Sequence, residues 1–363
     1  MISTVEVSHF KCFAKLRLPF RKLTLLTGFN GGGKSSALQP VLFLSQSLRG
    51  NIKGDGFSLN GDLVELGTAG EVIHSMAENR TIDISVETEN GNVAAWGLFA
   101  SPSHRHLTLK SRPPDSSEIE RLLRRIIFIS AIREGASDAF PMPNSIVEDS
   151  IDVGRDGRFA PYWYDQKSDF EVTEGRRISS EAAPSFRIQF DSWLGSLFPG
   201  AQVNVQQLTQ VSKLCLQFRF SDTGNWKRPA NVGYGLTYSF PILVALLAAS
   251  TDQTIFIDSP EAHLHPAAQS EMGRVLASFA AAGLQIVVET HSDHLLNGIR
   301  VAIKDGILAP SDVAVHFFQG ASDKDHGVLS LSIDENGRVS NWPNGFFDQG
   351  ERDLSILSDW GKK

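Results

Sequence analysis

Apolar and polar positions alternate from the first residues of the chain. Ile2, Val5, Val7 and Phe10, then Leu16, Leu18 and Phe20, predict two strands that lead into a third, the apolar run Leu23-Thr24-Leu25-Leu26-Thr27. Beyond the next eight residues the period changes. Ser36-Ala37-Leu38-Gln39-Pro40-Val41-Leu42-Phe43-Leu44 has helical apolar spacing, and Pro40, which lacks an N–H, is expected to kink or shorten that helix about two turns in. Residues 81–87 alternate cleanly and pair with 93–99 as a hairpin turning near Gly91. Glycine-rich residues 51–70 read as loop with short extended pieces, and 101–115, with three prolines, as an exposed connector. A short helix over 117–125 runs into an apolar strand at 126–129. Residues 134–200 carry scattered aromatics and no long periodic run before 186–197, and read as an insertion lobe. Strands at 202–207 and 214–220 and a helix over 237–250 follow. No heptad pattern persists between residues 34 and 258, which excludes a long coiled-coil arm.

Between the third strand and its helix lies Gly28-Phe29-Asn30-Gly31-Gly32-Gly33-Lys34-Ser35, which fits the phosphate-loop pattern Gly-x-x-x-x-Gly-Lys-Ser/Thr at every fixed position. Glycines allow positive φ and close approach of backbone N–H groups to phosphate oxygens, and the helix N-terminus adds a positive dipole end. Asn30, Gly31, Gly32, Gly33 and Ser36 are the expected cradle, Lys34 the charge for the β- and γ-phosphates, and Ser35 the hydroxyl for Mg²⁺. A glycine-rich hairpin turn is the bland alternative; the strand-loop-helix context argues against it. Two later strands repeat one design. Thr254-Ile255-Phe256-Ile257-Asp258 ends in a carboxylate suited to the Mg²⁺ shell, and Gln285-Ile286-Val287-Val288-Glu289-Thr290-His291-Ser292 ends in polar residues, where a histidine can sense the γ-phosphate or orient water. Alone, either tip could be a structural cap. Their order after a phosphate loop points to function.

Composition narrows the partners. The 363 residues carry a net charge of −7, so nucleic acid would need a local basic patch. The densest is Arg121, Arg124, Arg125 and Arg133, for which a solvated helix face is the first reading and contact with nucleotide, DNA or a partner the alternative. Two cysteines, Cys12 and Cys215, support neither a disulfide framework nor a zinc hook, and a reducing cytoplasm is expected. The longest strongly apolar run, 240–249, is about half a bilayer span, and no basic segment leads into an apolar one at the N-terminus. The expected protein is soluble, cytoplasmic and without a membrane partner. Ser259, His263 and His265 raise hydrolase and metal readings, but no Gly-x-Ser-x-Gly elbow surrounds the serine and His-x-His lacks an assigned third ligand.

The segments Ile257-Asp258-Ser259-Pro260-Glu261-Ala262-His263-Leu264-His265-Pro266 and Glu289-Thr290-His291-Ser292-Asp293-His294 resemble the Walker B and switch-histidine segments of AAA-like ATPases of the ABC/RecF/SMC type. Asn341-Trp342-Pro343-Asn344-Gly345-Phe346-Phe347-Asp348 is similar to the C-terminal module of DUF3696-containing predicted ATPases. The likeness also takes in Leu59-Asn60-Gly61 with Leu66-Gly67, residues 129–134, and Val232-Gly233-Tyr234-Gly235. It implies an α/β P-loop NTPase with an ABC/SMC-head-like mixed sheet, an antiparallel β subdomain and an insertion lobe. The implied division is 1–133 and 221–363 for the two parts of the ATPase head and 134–220 for the lobe. In such families two heads sandwich ATP between the phosphate loop of one and a signature segment of the other. Carried over, residues 233–239 are the signature region, with Gly233 and Gly235 on the nucleotide, although they match the ABC-transporter signature poorly. Where these families usually place a water-polarising glutamate after the Walker B aspartate, this chain has Ser259; Glu261 and Glu289 remain as candidate bases beside His291, or turnover is very slow. The resemblance implies a slow, ATP-dimerised switch, a homodimer or higher oligomer, controlling a protein effector encoded nearby, such as a nuclease, or engaging DNA in prokaryotic anti-phage defence. Competing classes are a RecF-like repair ATPase, a transporter subunit, and a self-contained nuclease of the overcoming-lysogenization-defect type. The last needs a further acidic domain, and only about 70 residues follow His291, with Asp323-Lys324-Asp325 in a polar stretch.

Overall fold

The computed structural model describes the whole chain except residues 51–55, 115, 145, 147–149, 180–181, 323–324, 344 and 359–363. The start of the glycine-rich loop at 51–55 and the Asp323-Lys324 pair therefore lie outside the described residues.

In chain order the elements are β1 (Ile2–Phe10), β2 (Phe13–Pro19), β3 (Leu23–Gly28), α1 (Lys34–Arg49), β4 (Gly56–Ser58), α2 (Ala69–Val72), β5 (Thr81–Thr88), β6 (Val93–Phe99), β7 (His106–Ser111), α3 (Ser117–Arg124), β8 (Ile127–Ile129), β9 (Phe140–Pro141), α4 (Ala160–Lys167), α5 (Phe186–Leu197), β10 (Gln202–Leu208), β11 (Lys213–Arg219), α6 (Tyr234–Ala248), β12 (Thr254–Asp258), α7 (Pro266–Ala281), β13 (Gln285–Glu289), α8 (Asp293–Lys304), β14 (Val313–Ser322), β15 (Asp325–Leu331) and α9 (Gln349–Leu357). The central sheet has the order β15-β14-β3-β13-β12-β8 and is parallel apart from β15. Parallel strands covered on both faces read as near-continuous apolar runs, which is why these were legible as strands. Leu23, Leu25, Ile255, Ile257, Ile286 and Val288 face a core shared with α6, α7 and α8. Leu26, Phe256, Val287 and Phe318 face α1 and the second sheet.

That second sheet is antiparallel, in the order β2-β1-β5-β6-β7-β4. The strands predicted over residues 2–20 belong to it rather than to the sheet of the phosphate loop. Two expectations are corrected here. The supposed connector at 101–115 contains β7, which pairs with both β6 and β4; its prolines, Pro102, Pro113 and Pro114, flank the strand instead of interrupting it. Helix α1 is not shortened by Pro40 and runs 16 residues through it. Burial of Ala37, Leu38, Val41, Leu42, Phe43 and Leu44 outweighs the one hydrogen bond that proline forgoes. In the 134–220 region, β10-β11-β9 form a small sheet, and Tyr164, Phe190 and Phe218 pack on Phe240 of α6, with Phe186 against Tyr164 and Phe190, continuous with the central core. Among the described residues no helix is long and apolar enough to cross a membrane.

Helices α7 and α8, which follow β12 and β13, cross at glycines. A Cβ on Gly298 would overlap the Ser270 carbonyl, and one on Gly273 the Leu295 carbonyl. This close crossing fixes the two strand tips relative to each other. On an exposed helix a Gly→Ala change gains about 1 kcal/mol. Here overpacking reverses the sign: Gly298→Ala should lower stability by about 1–3 kcal/mol. The denaturant midpoint at constant m-value measures this, and a raised midpoint would show that the helices have room to part.

Candidate functional site

The loop after β3 owes its shape to glycines. Gly28, Gly31 and Gly33 all have positive φ, at 132°, 73° and 99°. At Gly28 a side chain would strike the backbone of Phe318, because β14 runs alongside; at Gly33 a Cβ would stand 2.7 Å from the Phe13 ring and 3.0 Å from Cys12 Sγ. The Lys34 ammonium is buried and donates to the carbonyls of Gly28 (3.0 Å) and Phe29 (2.9 Å), closing the loop around its own charge. Burial lowers its pKa, opposed by Glu289 and Asp258. Asn30, Gly31, Gly32, Ser35 and Ser36 follow in the same loop and first helical turn. Burial raises the pKa of the Cys12 thiol, in the tight turn between β1 and β2, against the opposing effects of the neighbouring Ser36 hydroxyl and the Lys11 charge.

Parallel registration brings the rest together. Asp258 on β12 pairs with Glu289 on β13, and Glu289 with Leu26 on β3, so the two carboxylates end side by side next to the phosphate loop. Ser35 donates its hydroxyl to Glu289 Oε1 at 3.0 Å. Asp258 accepts from the Ser259 hydroxyl at 2.8 Å. Burial, and then the charge of Asp258, raises the Glu289 pKa to about 7 against the Ser35 hydrogen bond and Lys34. Glu261 is turned elsewhere: its Oε1 accepts the backbone N–H of His291 at 2.8 Å, and burial raises its pKa. The turn after β13 is tied down from several sides, since Ser292 caps α8 by accepting the Leu295 N–H and donates to Gln269 of α7. His291 is exposed at this turn, its pKa lowered by burial of the ring base and by Lys34. A Ser35 hydroxyl beside the Asp258 and Glu289 carboxylates is a hard-oxygen set of the kind Mg²⁺ takes, and the glycine cradle with its buried lysine suits a polyphosphate. Among the described residues no cluster of three or more His, Cys, Asp or Glu could hold a metal by itself, so a cation here would share its shell with phosphate and water.

Reading the arginines as one basic cluster obscured a site residue. Arg121 and Arg125 pair with Asp252, and Arg124 with Glu120, on and beside α3. Arg133 is separate and buried; it donates to the carbonyls of Asp258 (2.5 Å) and Ser259 (3.0 Å). Ser259 itself has left-handed backbone, φ 49°. Gly233 and Gly235 are not on the phosphate loop of their own protomer: they open α6, where a Cβ at Gly235 would lie 2.7 Å from the His263 carbonyl and one at Gly233 would meet open space.

A family model described as "AAA domain, putative AbiEii toxin, Type IV TA system" matches residues 23–297. The chain belongs to this AAA-domain family. A second model, "Protein of unknown function (DUF3696)", matches residues 308–357. Among solved structures the chain resembles the "SmcHead bound to the C-winged helix domain of ScpA", at 15% identity and TM-score 0.57 over 92% of this chain and 98% of that one. It also resembles an Smc head domain with an extended coiled coil, bound to the C-terminal domain of ScpA derived from Pyrococcus furiosus, at 15% identity and TM-score 0.57 over 99% of both chains. A search of curated proteins found no match. The AAA-domain protein thus has a mixed α/β fold like that of Smc heads and carries a DUF3696 segment.

In this AAA-domain protein the DUF3696 segment builds one wall of the phosphate loop. It supplies β14, whose Phe318 carbonyl accepts the Phe29 N–H at 3.1 Å. The Phe29 ring leans on Phe317 and lies under Gly345, whose φ of 82° and lack of a side chain make the contact feasible. Phe346 is fully buried against Phe317 and Trp342. Thr27, Gly28 and Phe29, His291, and Asp348 and Arg352 then line a cavity of about 410 Å³.

The Glu289 carboxyl makes stability depend on pH. It holds its proton to about pH 7 when folded, against about 4.5 for an ordinary glutamate, so the folded state binds more protons between those values and stability falls as pH rises through them. Glu289→Gln, which cannot ionise, removes that decline. Without nucleotide, its melting temperature should gain on the wild type from pH 5 to pH 8 in scanning calorimetry. Parallel curves would show that Glu289 titrates as an ordinary glutamate.

Proposed function

We propose that the protein binds and slowly hydrolyses ATP with Mg²⁺, dimerises on ATP, and as a switch controls a partner effector in prokaryotic anti-phage defence. The observation that carries the chemistry is the convergence of Lys34, Ser35, Asp258 and Glu289 at the ends of three adjacent parallel strands, with His291 on the following turn. Mg²⁺ when bound supplies charge neutralisation for the departing phosphate. Lys34 and the loop N–H groups hold the phosphates, and Ser35 and Asp258 hold the cation. Glu289 is assigned as the base, because its carboxyl faces Ser35 whereas that of Glu261 is engaged by the His291 backbone. Glu261 then orients the histidine turn. Support for the defence role comes from the family description as a putative toxin of a toxin–antitoxin system, and for a protein partner from Smc heads bound to ScpA. Support for pairing of two heads comes from Tyr234, exposed at the start of α6 between the two glycines of the signature-like segment.

Lys34→Ala should abolish ATP binding in isothermal titration. In steady-state turnover Glu289→Gln should lose about 10²–10⁴-fold, the usual contribution of a positioned base, and Glu261→Gln distinctly less. The reverse ranking moves the base to Glu261. Sedimentation with a slowly hydrolysed ATP analogue should show a dimer absent without nucleotide, and loss of that dimer in Tyr234→Asp. Identical distributions with and without analogue dispose of the ATP-linked switch.

A further inference from the structure

Arg133 sits where three parts of the molecule meet. Its guanidinium holds the two backbone carbonyls of the β12 tip, Asp258 at 2.5 Å and Ser259 at 3.0 Å. The same group lies 5.5 Å from the centre of the Tyr238 ring on α6. Two residues on, Gly135 is pressed against the first turns of that helix, where a Cβ would stand 2.7 Å from the Tyr238 ring and 2.9 Å from that of Tyr234. The turn is anchored from behind by Ser130 and Glu134 N–H groups donating to the carbonyls of Arg155 and Asp156, at 2.7 and 2.9 Å. Tyr238 also packs edge-on against His263, whose φ of 63° belongs to the loop leaving the same strand tip. Stability alone does not explain the arrangement. Arg133 Nε is buried without an acceptor, and removing a guanidinium from water is costly even when part of it is paired.

We propose that Arg133 is a positioning residue for ATP hydrolysis, a planar link that sets the Asp258–Ser259 tip according to where the Gly233–Tyr238 turn of α6 lies. This rests on the ATPase reading above. Two carbonyl contacts from Nη2 fix both the direction in which Asp258 leaves the strand and the left-handed backbone at Ser259, while Nη1 reaches the Tyr238 carbonyl at 3.5 Å and the guanidinium plane packs on the Tyr238 ring; a lysine ammonium can bond two carbonyls but has neither the second nitrogen nor the plane that ties them to α6. Displacement of α6 is thereby felt at the metal-binding carboxylate, through Tyr238 and the guanidinium, without any contact between α6 and phosphate in the same protomer.

The test compares full-length wild type, Arg133→Lys, Arg133→Met, Tyr238→Leu and the double variant Arg133→Met/Tyr238→Leu. Binding of a non-hydrolysable ATP analogue is titrated against Mg²⁺, and kcat and KM are measured beside it. In both Arg133 variants the Mg²⁺ needed for half-maximal analogue binding should rise about tenfold, as for loss of a group that orients a metal ligand. At saturating Mg²⁺, Arg133→Met should lower kcat by about 10²-fold with KM unchanged, since the metal site is then filled and what remains is misplacement in the transition state. Tyr238→Leu should move both readings the same way by less, and the double variant should be no worse than Arg133→Met. If Arg133→Met does not fold, Arg133→Lys decides. A wild-type Mg²⁺ requirement in the Arg133 variants, or losses that multiply independently in the double variant, overturns the proposal alone. A wild-type protein that binds no analogue at any Mg²⁺ concentration overturns the ATPase reading and the proposal with it.

Discussion

Two carboxylates held next to each other at the buried end of a parallel sheet repel, and much of this structure is arranged around that repulsion. The register that places Asp258 opposite Glu289 leaves no freedom to separate them. Three local responses are visible. Glu289 is pushed toward its neutral form, with a pKa near 7; Ser35 donates to it; and the buried Lys34 charge lies close enough to influence both acids. The neutral form, favoured first by burial and then by Asp258, relieves the repulsion only up to about pH 7. Once Glu289 ionises, the pair favours positive charge beyond that of Lys34, of the kind a hydrated Mg²⁺ ion would supply.

How much of this was legible in the sequence follows from how local each signal is. The phosphate loop and both strand tips were visible because each is a contiguous run whose chemistry and context occupy fewer than about twenty residues. The tips themselves suggested the expected roles of Asp258 and His291, and the family resemblance added the signature region and the missing glutamate at Ser259. What the chain did not disclose were contacts made across long separations. The choice between Glu261 and Glu289 depends on a hydrogen bond to Ser35 spanning 254 positions. Arg133 was grouped with Arg121, Arg124 and Arg125 because they lie close in sequence, yet a turn after β8 carries it to the β12 tip while the others stay on and beside α3. In β7 alternation was present in Leu107 and Leu109, but the nearby prolines masked it.

The same reasoning explains why the C-terminal segment belongs to the site rather than beside it. β14 lies next to β3 in parallel register, reaching Phe318 opposite Gly28, so a strand of the DUF3696 segment flanks the first residue of the phosphate loop. Phe29 cannot move independently of this segment, since its N–H is held by Phe318 and its ring is enclosed by Phe317 and Gly345. The glycine-rich loop is thus braced by residues of the DUF3696 segment. Asp348, which accepts the Gly345 N–H at 3.0 Å and pairs with Arg352 at 2.7 Å, extends the brace into α9. Changes in α9 therefore have a short mechanical route to the nucleotide loop.

Ser259 is the last piece, and its backbone matters as much as its side chain. Its N–H donates to the Glu289 carbonyl at 2.8 Å, its carbonyl accepts from Arg133, and its hydroxyl donates to Asp258. Every polar group of the residue is thereby engaged in joining the two acid-bearing strands to the arginine, in a left-handed conformation that costs a non-glycine residue about 1 kcal/mol or more. A longer acid at this position would have to project from the same constrained backbone and would give up the short hydroxyl bond to Asp258. The position that ABC-type sites use to polarise water is here part of the frame, and Glu289, the carboxyl that accepts from Ser35 of the phosphate loop, is one that burial keeps largely protonated below neutral pH. On the proposed assignment of Glu289 as base, a carboxyl that ionises reluctantly and a frame that resists rearrangement would both favour a long-lived ATP-bound state over rapid cycling.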